Sequence, residues 1–116
     1  MSEYEKMISG MVYDISDREL VSMRTRIRKL ANEYNRTDED EQEKRQKLLH
    51  EMFGKCGKNI YCEPPIRFDY GVNTSVGEYF YSNFNLVILD CGKVTIGKQC
   101  FIGPNVTLAT PVHPFL

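Results

Sequence analysis

The chain has 116 residues, with 15 Lys and Arg against 16 Asp and Glu, a formal net charge of -1 and 41% hydrophobic content, enough for one domain with a real core. Near-neutral charge without a basic face argues against a nucleic-acid partner. Apolar runs far shorter than a bilayer span, and an acidic, polar opening at Met1-Ser2-Glu3, argue against a membrane or a targeting signal, so a soluble, cytoplasmic protein is expected.

Of the charged residues, 22 fall in residues 1–54, and that half reads as helix. Ser2-x-x-Glu5 is a capping box for a short first helix that Gly10 stops. Ser16-x-x-Glu19 repeats the device for a second helix, in which Leu20, Met23, Ile27, Leu30, Ala31 and Tyr34 share one face and Asn35 ends the run. Thr37 is the expected N-cap of a third, with Asp38 to Glu41 at its positive end and Leu48, Leu49, Met52 and Phe53 closing on Gly54. His50, beside Leu48 and Leu49, reads as a surface or interhelical histidine.

From Lys55 the helical period disappears. Lys55 to Asn59 reads as a loop, and Ile60, Cys62, Ile66, Phe68 and Tyr70 then alternate with polar residues. The pair Pro64-Pro65 places an edge or corner within that stretch. An aliphatic residue followed by a small one next recurs about every six positions: Val76-Gly77, Ile96-Gly97, Ile102-Gly103 and Leu108-Ala109, with Tyr70-Gly71 as a looser copy. Six is neither the helical period nor simple alternation; it suits a stacked β-helix of short strands and turns with one inward residue per face. The expected inward series is Tyr70, Val76, Ser82 and Ile88, then Ile96, Ile102 and Leu108 after a two-residue offset at Asp90-Cys91. Two ordinary hairpins with coincidental spacing are the plainer alternative.

Cys56, Cys62, Cys91 and Cys100 form no CxxC pair, and the two histidines, His50 and His113, lie far apart. Packing thiols are expected, with neither disulfide nor zinc.

The residues themselves carry a resemblance. Gly10 to Asp14 before a helix, Glu63-Pro64-Pro65, Tyr70-Gly71, Phe80 to Asn85, Val94 to Gly97, Gly103 to Val106 and His113-Pro114 resemble, in the same order, the maltose and galactoside O-acetyltransferases, the sugar branch of the hexapeptide-repeat acyltransferases. The resemblance implies a mainly β fold, a left-handed parallel β-helix with an α-helical N-terminal cap, about two and a half coils being present. Residues 1–54 would form the cap and 55–116 the N-terminal part of the β-helix. It also implies a homotrimer with active sites between subunits, and acetyl transfer from acetyl-CoA to a hydroxyl of maltose, glucose or a galactoside, with no metal.

His113 matches the family's catalytic base, a role imidazole suits because a sugar hydroxyl must lose its proton as it attacks a thioester near pH 7. A turn histidine is the plainer reading. Asn83 and Tyr81 match acceptor contacts, an amide able to donate and accept and a ring able to lie on an apolar sugar face. Asp69 matches a polar acceptor contact. Asp14 matches either an acceptor carboxylate or a turn cap, and Asp90 lies where an acidic sugar contact is expected, although the neighbouring match falls on Cys91. The family continues past the position of Leu116 through the coils that hold CoA, so truncation is expected. The competing expectation is a non-catalytic β-helix module that trimerises or binds sugar but lacks the CoA site.

Overall fold

The computed structural model describes residues 1–110. Helix α1 (Glu3–Ile8) starts at the capping box: the Glu5 amide donates to the Ser2 hydroxyl and the Ser2 amide to the Glu5 carboxylate. Helix α2 (Arg18–Asn35) is capped by Asp17 rather than Ser16, because Asp14 Oδ1 already takes both the amide (2.9 Å) and the hydroxyl (2.7 Å) of Ser16. Leu20, Ile27, Ala31 and Tyr34 bury its expected face.

Helix α3 (Gln42–Met52) starts five residues beyond Thr37. The Thr37 hydroxyl donates to the Tyr34 carbonyl (2.6 Å) and accepts from Arg45 Nε (2.7 Å), so it closes α2 instead of opening α3. Residues 38–41 form a turn, with the Glu41 amide donating to the Asp38 carbonyl.

Among the described residues nine short strands follow in three rungs: β1 (Lys55–Cys56), β2 (Tyr61–Cys62) and β3 (Ile66–Phe68); β4 (Thr74–Val76), β5 (Tyr81–Ser82) and β6 (Leu86–Leu89); β7 (Val94–Ile96), β8 (Phe101–Ile102) and β9 (Thr107–Ala109). They pair in parallel as the sheets β1-β4-β7, β2-β5-β8 and β3-β6-β9. Lys55 and Cys56 are therefore a strand, not the expected loop, and their rung is one the hexad ladder did not include.

Partners are twenty residues apart throughout, Lys55 with Ser75, Tyr61 with Tyr81 and Ile66 with Leu86. The inward columns are Cys56–Val76–Ile96, Cys62–Ser82–Ile102 and Phe68–Ile88–Leu108. Steps of six, six and eight thus repeat, and the eight-residue corner after Phe68 is the same as the one after Ile88. Tyr70 drops out of the expected series for that reason: it lies in the first long corner and packs with Met7 and Leu20 under the helices.

The other corners repeat as well. Asn59, Tyr79 and Gln99 turn one of them at φ +58°, +59° and +58°, and Asn85 and Asn105 turn the next at +66° and +58°. Gly77 sits against the rung above, where a Cβ would lie 2.6 Å from the Lys98 amide nitrogen.

One core runs from Ile27, Tyr34, Leu49 and Met52 into Phe53, Ile60, Ile66, Phe80, Leu86 and Ile88, so the helices close the lower end of the prism. They also satisfy the first rung's free backbone groups. Tyr34 OH donates to the Cys62 carbonyl, Gln46 Nε2 to the Ile60 carbonyl (2.7 Å), and the Asn35 amide pairs with both the carbonyl (3.0 Å) and the amide (2.8 Å) of Ile66. A bare strand edge would otherwise expose those groups.

Candidate functional site

The sequence-derived site residues separate onto two corners of the prism. Tyr81 projects from the outer face of β2-β5-β8, stacked between Tyr61 (centroids 6.1 Å, 26°) and Phe101 (4.8 Å, 14°). Its support is a polar relay from the helices: buried Arg45 donates from Nη1 to Tyr61 OH (2.7 Å), which donates to Glu63 Oε1 (2.7 Å). Asn83 lies just past β5. Its amide donates to the Ile102 carbonyl (2.9 Å) and its Oδ1 accepts from the Phe84 amide (2.7 Å), leaving the NH2 group without a partner among the described residues.

Asp69 lies at the long corner after β3. Its Oδ2 accepts from the Cys91 thiol (3.4 Å), and Cys91 and Tyr13 pack against the same cluster of Met7, Leu20 and Tyr70. Burial, first, pushes both the Cys91 thiol and the Tyr13 phenol above their ordinary values, so both are protonated donors near neutrality. Arg24 fastens the same corner to the α1–α2 connection, donating from Nη1 to Tyr70 OH (2.8 Å) and from Nη2 to the Ile15 carbonyl (2.7 Å).

Asp14 is exposed in that connection. Its amide donates to Glu3 Oε1 (2.7 Å), and the hydrogen bonds from the Ser16 hydroxyl and amide hold its carboxyl below the usual range. The turn-capping role is therefore present; nothing in that geometry prevents the free carboxylate oxygen from meeting a ligand.

Asp90 has no face open to one. It is fully buried, its Oδ1 accepts from the amides of Tyr70 (2.8 Å) and Gly71 (3.1 Å), and its Oδ2 accepts from the Thr74 hydroxyl (3.0 Å). Asn73 Nδ2 donates to its carbonyl (2.8 Å). Asp90 fastens one long corner to the next, which replaces the expected sugar contact with a structural role.

His113 lies outside the described residues. The chain approaches it through β9 and Thr110, whose hydroxyl donates to the Leu89 carbonyl (2.8 Å) and accepts from the Gly92 amide (2.8 Å). Asn83 and the Asp69–Cys91 corner stand at opposite ends of β6, whose four residues span roughly 13 Å.

Tyr13 and Arg24 join this corner with no signal of their own in the sequence; recognising the eight-residue corner step would have pointed to Tyr70 and Cys91. Among the described residues no three His, Cys, Asp or Glu side chains are grouped to hold a metal, and no helix is long and apolar enough to cross a membrane. All four cysteines are free.

Three parallel sheets forming the faces of a prism closed by helices are the architecture of hexapeptide-repeat acetyltransferases, and comparison with known proteins narrows the class. Residues 6–57 match the maltose acetyltransferase hexapeptide capping motif. The maltose O-acetyltransferase of Clostridium difficile 630 superposes with a TM-score of 0.96 at 45% identity, over 98% of this chain and 61% of that one. A galactoside acetyltransferase in complex with coenzyme A gives 0.89 at 41% identity, over 97% and 58%. The galactoside O-acetyltransferase of Escherichia coli (strain K12) is 42% identical over 95% of this chain and 54% of its own length. The chain is thus a homologue of the maltose and galactoside O-acetyltransferases, and it spans between about half and three-fifths of the length of these relatives.

Proposed function

We propose that the chain serves a sugar O-acetyltransferase that moves the acetyl group of acetyl-CoA to a hydroxyl of maltose, glucose or a galactoside. The observation that carries this is the match, along 98% of the chain, to a maltose O-acetyltransferase at 45% identity and a TM-score of 0.96. His113 takes the hydroxyl proton as the oxygen attacks the thioester carbonyl, and returns it to the departing CoA thiolate, so no acyl-enzyme is needed. Tyr81 and Asn83 hold the acceptor from one side, and Asp69 and Asp14 from the other.

The reading takes the acceptor site as shared between subunits of a homotrimer, in keeping with Asn83 and the Asp69 corner standing at opposite ends of β6 in one copy. The reading further takes the β-helix as left-handed, residues 1–54 as its cap and 55–116 as its first part, and the protein as cytoplasmic. Sugar-dependent release of CoA from acetyl-CoA tests the activity: release is expected with maltose, glucose or a galactoside and lost in His113→Ala. Equal release without sugar refutes it.

A further inference from the structure

A groove of about 440 Å³ runs between α2 and the outer face of β3-β6-β9, with Arg28, Asn32, Arg67, Asp69 and Leu89 along it. Arg28 and Arg67 are exposed, and among the described residues neither has a carboxylate partner: the ion pairs there are Lys6–Glu3 and Lys44–Glu33. Arg67 Nη1 donates to Asn32 Oδ1 (3.1 Å), which ties the strand's guanidinium to α2 and leaves its other N–H groups without a partner among the described residues. The helix itself is electropositive. In a chain of net charge -1, α2 carries Arg18, Arg24, Arg26, Arg28 and Lys29 against Glu19 and Glu33, and Glu33 faces Lys44.

The groove ends at a chemically distinct place. Asp69, half-buried, belongs both to it and to the corner where it accepts from the Cys91 thiol, beside which Tyr13 packs. A ligand lying in the groove would therefore meet two forked cations first and hydroxyl-binding groups next.

We propose that this groove takes an anionic substituent, carboxylate or phosphate, on an acceptor sugar whose ring hydroxyls reach the Asp69 corner. The inference rests on the sugar acetyltransferase reading and deepens it by naming the acceptor class. Guanidinium groups bind either anion with paired, charge-assisted hydrogen bonds. Asp69 repels the anion and accepts from hydroxyls, so it fixes which end of the acceptor points to the corner.

Calorimetric titration of the 116-residue chain at low salt with glucose, glucose 6-phosphate, glucuronate and inorganic phosphate tests this. Wild type is compared with an Arg28→Gln, Arg67→Gln double variant and with Lys29→Gln, which removes a charge of α2 that does not line the groove. At least one charged sugar is expected to bind about tenfold or more tightly than glucose and than inorganic phosphate, from charge-assisted pairing. The advantage should vanish in the double variant and persist in Lys29→Gln; the sugar that shows it tells phosphate from carboxylate.

Equal affinity for glucose and both charged sugars overturns the inference while leaving acetyl transfer to neutral sugars standing. Inorganic phosphate binding as tightly as the charged sugars also overturns it, by showing an anion site with no acceptor role. Failure of every sugar to bind overturns it too, and sugar-dependent CoA release then judges the enzyme reading separately.

Discussion

Replacing Asp90 by Ala removes the acceptor for two buried backbone amides, Tyr70 and Gly71, and for the Thr74 hydroxyl. A buried donor left without a partner costs about 1–3 kcal/mol. The hydroxyl can turn to another acceptor and a buried carboxylate is relieved, so the two amides set a net loss of roughly 2–4 kcal/mol. For a chain of this size that is a fall of about 8–16 °C in melting temperature. Asp90→Asn keeps an oxygen for the amides and presents an N–H to the threonine hydroxyl, so it should cost less than about 1 kcal/mol.

The pH dependence has a definite sign. Burial, the largest cause, raises the Asp90 carboxyl above its ordinary 3.8 despite the hydrogen bonds that oppose it. Between 3.8 and the raised value the folded chain holds a proton that the unfolded chain has released. Stability therefore falls as pH rises through that interval and is level above it. The difference between wild type and Asp90→Asn isolates this slope from other carboxylates. Thermal unfolding followed by circular dichroism, across acid to neutral pH, reads both effects. An Ala variant melting within about 2 °C of wild type would refute the structural role and return Asp90 to the candidates for ligand contact.

Three further outcomes follow from the corners and columns of the prism. Gly77→Ala, which places a Cβ 2.6 Å from the Lys98 amide nitrogen, should lower stability by about 1–3 kcal/mol in chemical denaturation, as overpacking does; Gly103→Ala, with open space at that position, should not. Tyr79 is exposed yet held at φ +59°, so Tyr79→Gly should raise the melting temperature, relieving about 1 kcal/mol of left-handed strain; an unchanged or lower value contradicts that account. Ser82 Oγ lies fully buried in an interior column with no hydrogen-bond partner among the described residues, beside Cys62, whose thiol burial pushes up to about 12. Ser82→Ala should thus be neutral or stabilising by about 1 kcal/mol, and a clear loss in urea unfolding would reveal a bond the geometry lacks.

The hexad ladder was legible because its inward positions, Val76, Ser82, Ile88, Ile96, Ile102 and Leu108, obey a steric rule that leaves a mark at each step. What misled was its phase. Tyr70 stands six before Val76 by coincidence, and only the strand register shows that the true predecessor is Phe68, eight before. Helix starts were read from capping residues, which work where the side chain is free. Ser16 and Thr37 are not free: each is taken by a tertiary or turn partner that no local pattern displays. Asp90 shows the same limit at the site, since an acidic residue at a corner looks alike in sequence whether it faces a ligand or two backbone amides. The guanidiniums of Arg28 and Arg67 were hidden in another way, as ordinary surface charges on segments 39 residues apart that only the packing of α2 on β3 brings to one groove.

The helices do more than close the prism, because the groups that dock them also set the orientation of a site residue. Arg45 is buried with no carboxylate bonded directly to its guanidinium; Thr37 and the Tyr61 hydroxyl hold it, and Glu63 lies one bond further on. A buried cation secured this indirectly contributes little net stability compared with an apolar side chain of similar size. Its geometric effect is larger: it fixes the ring of Tyr61, on which Tyr81 stacks, and Tyr81 in turn carries Phe101. Docking of α3 and the angle of the Tyr81 ring are thus one structural event. A cap that packed equally well on apolar residues alone would still close the core, but it would leave the aromatic column free to tilt.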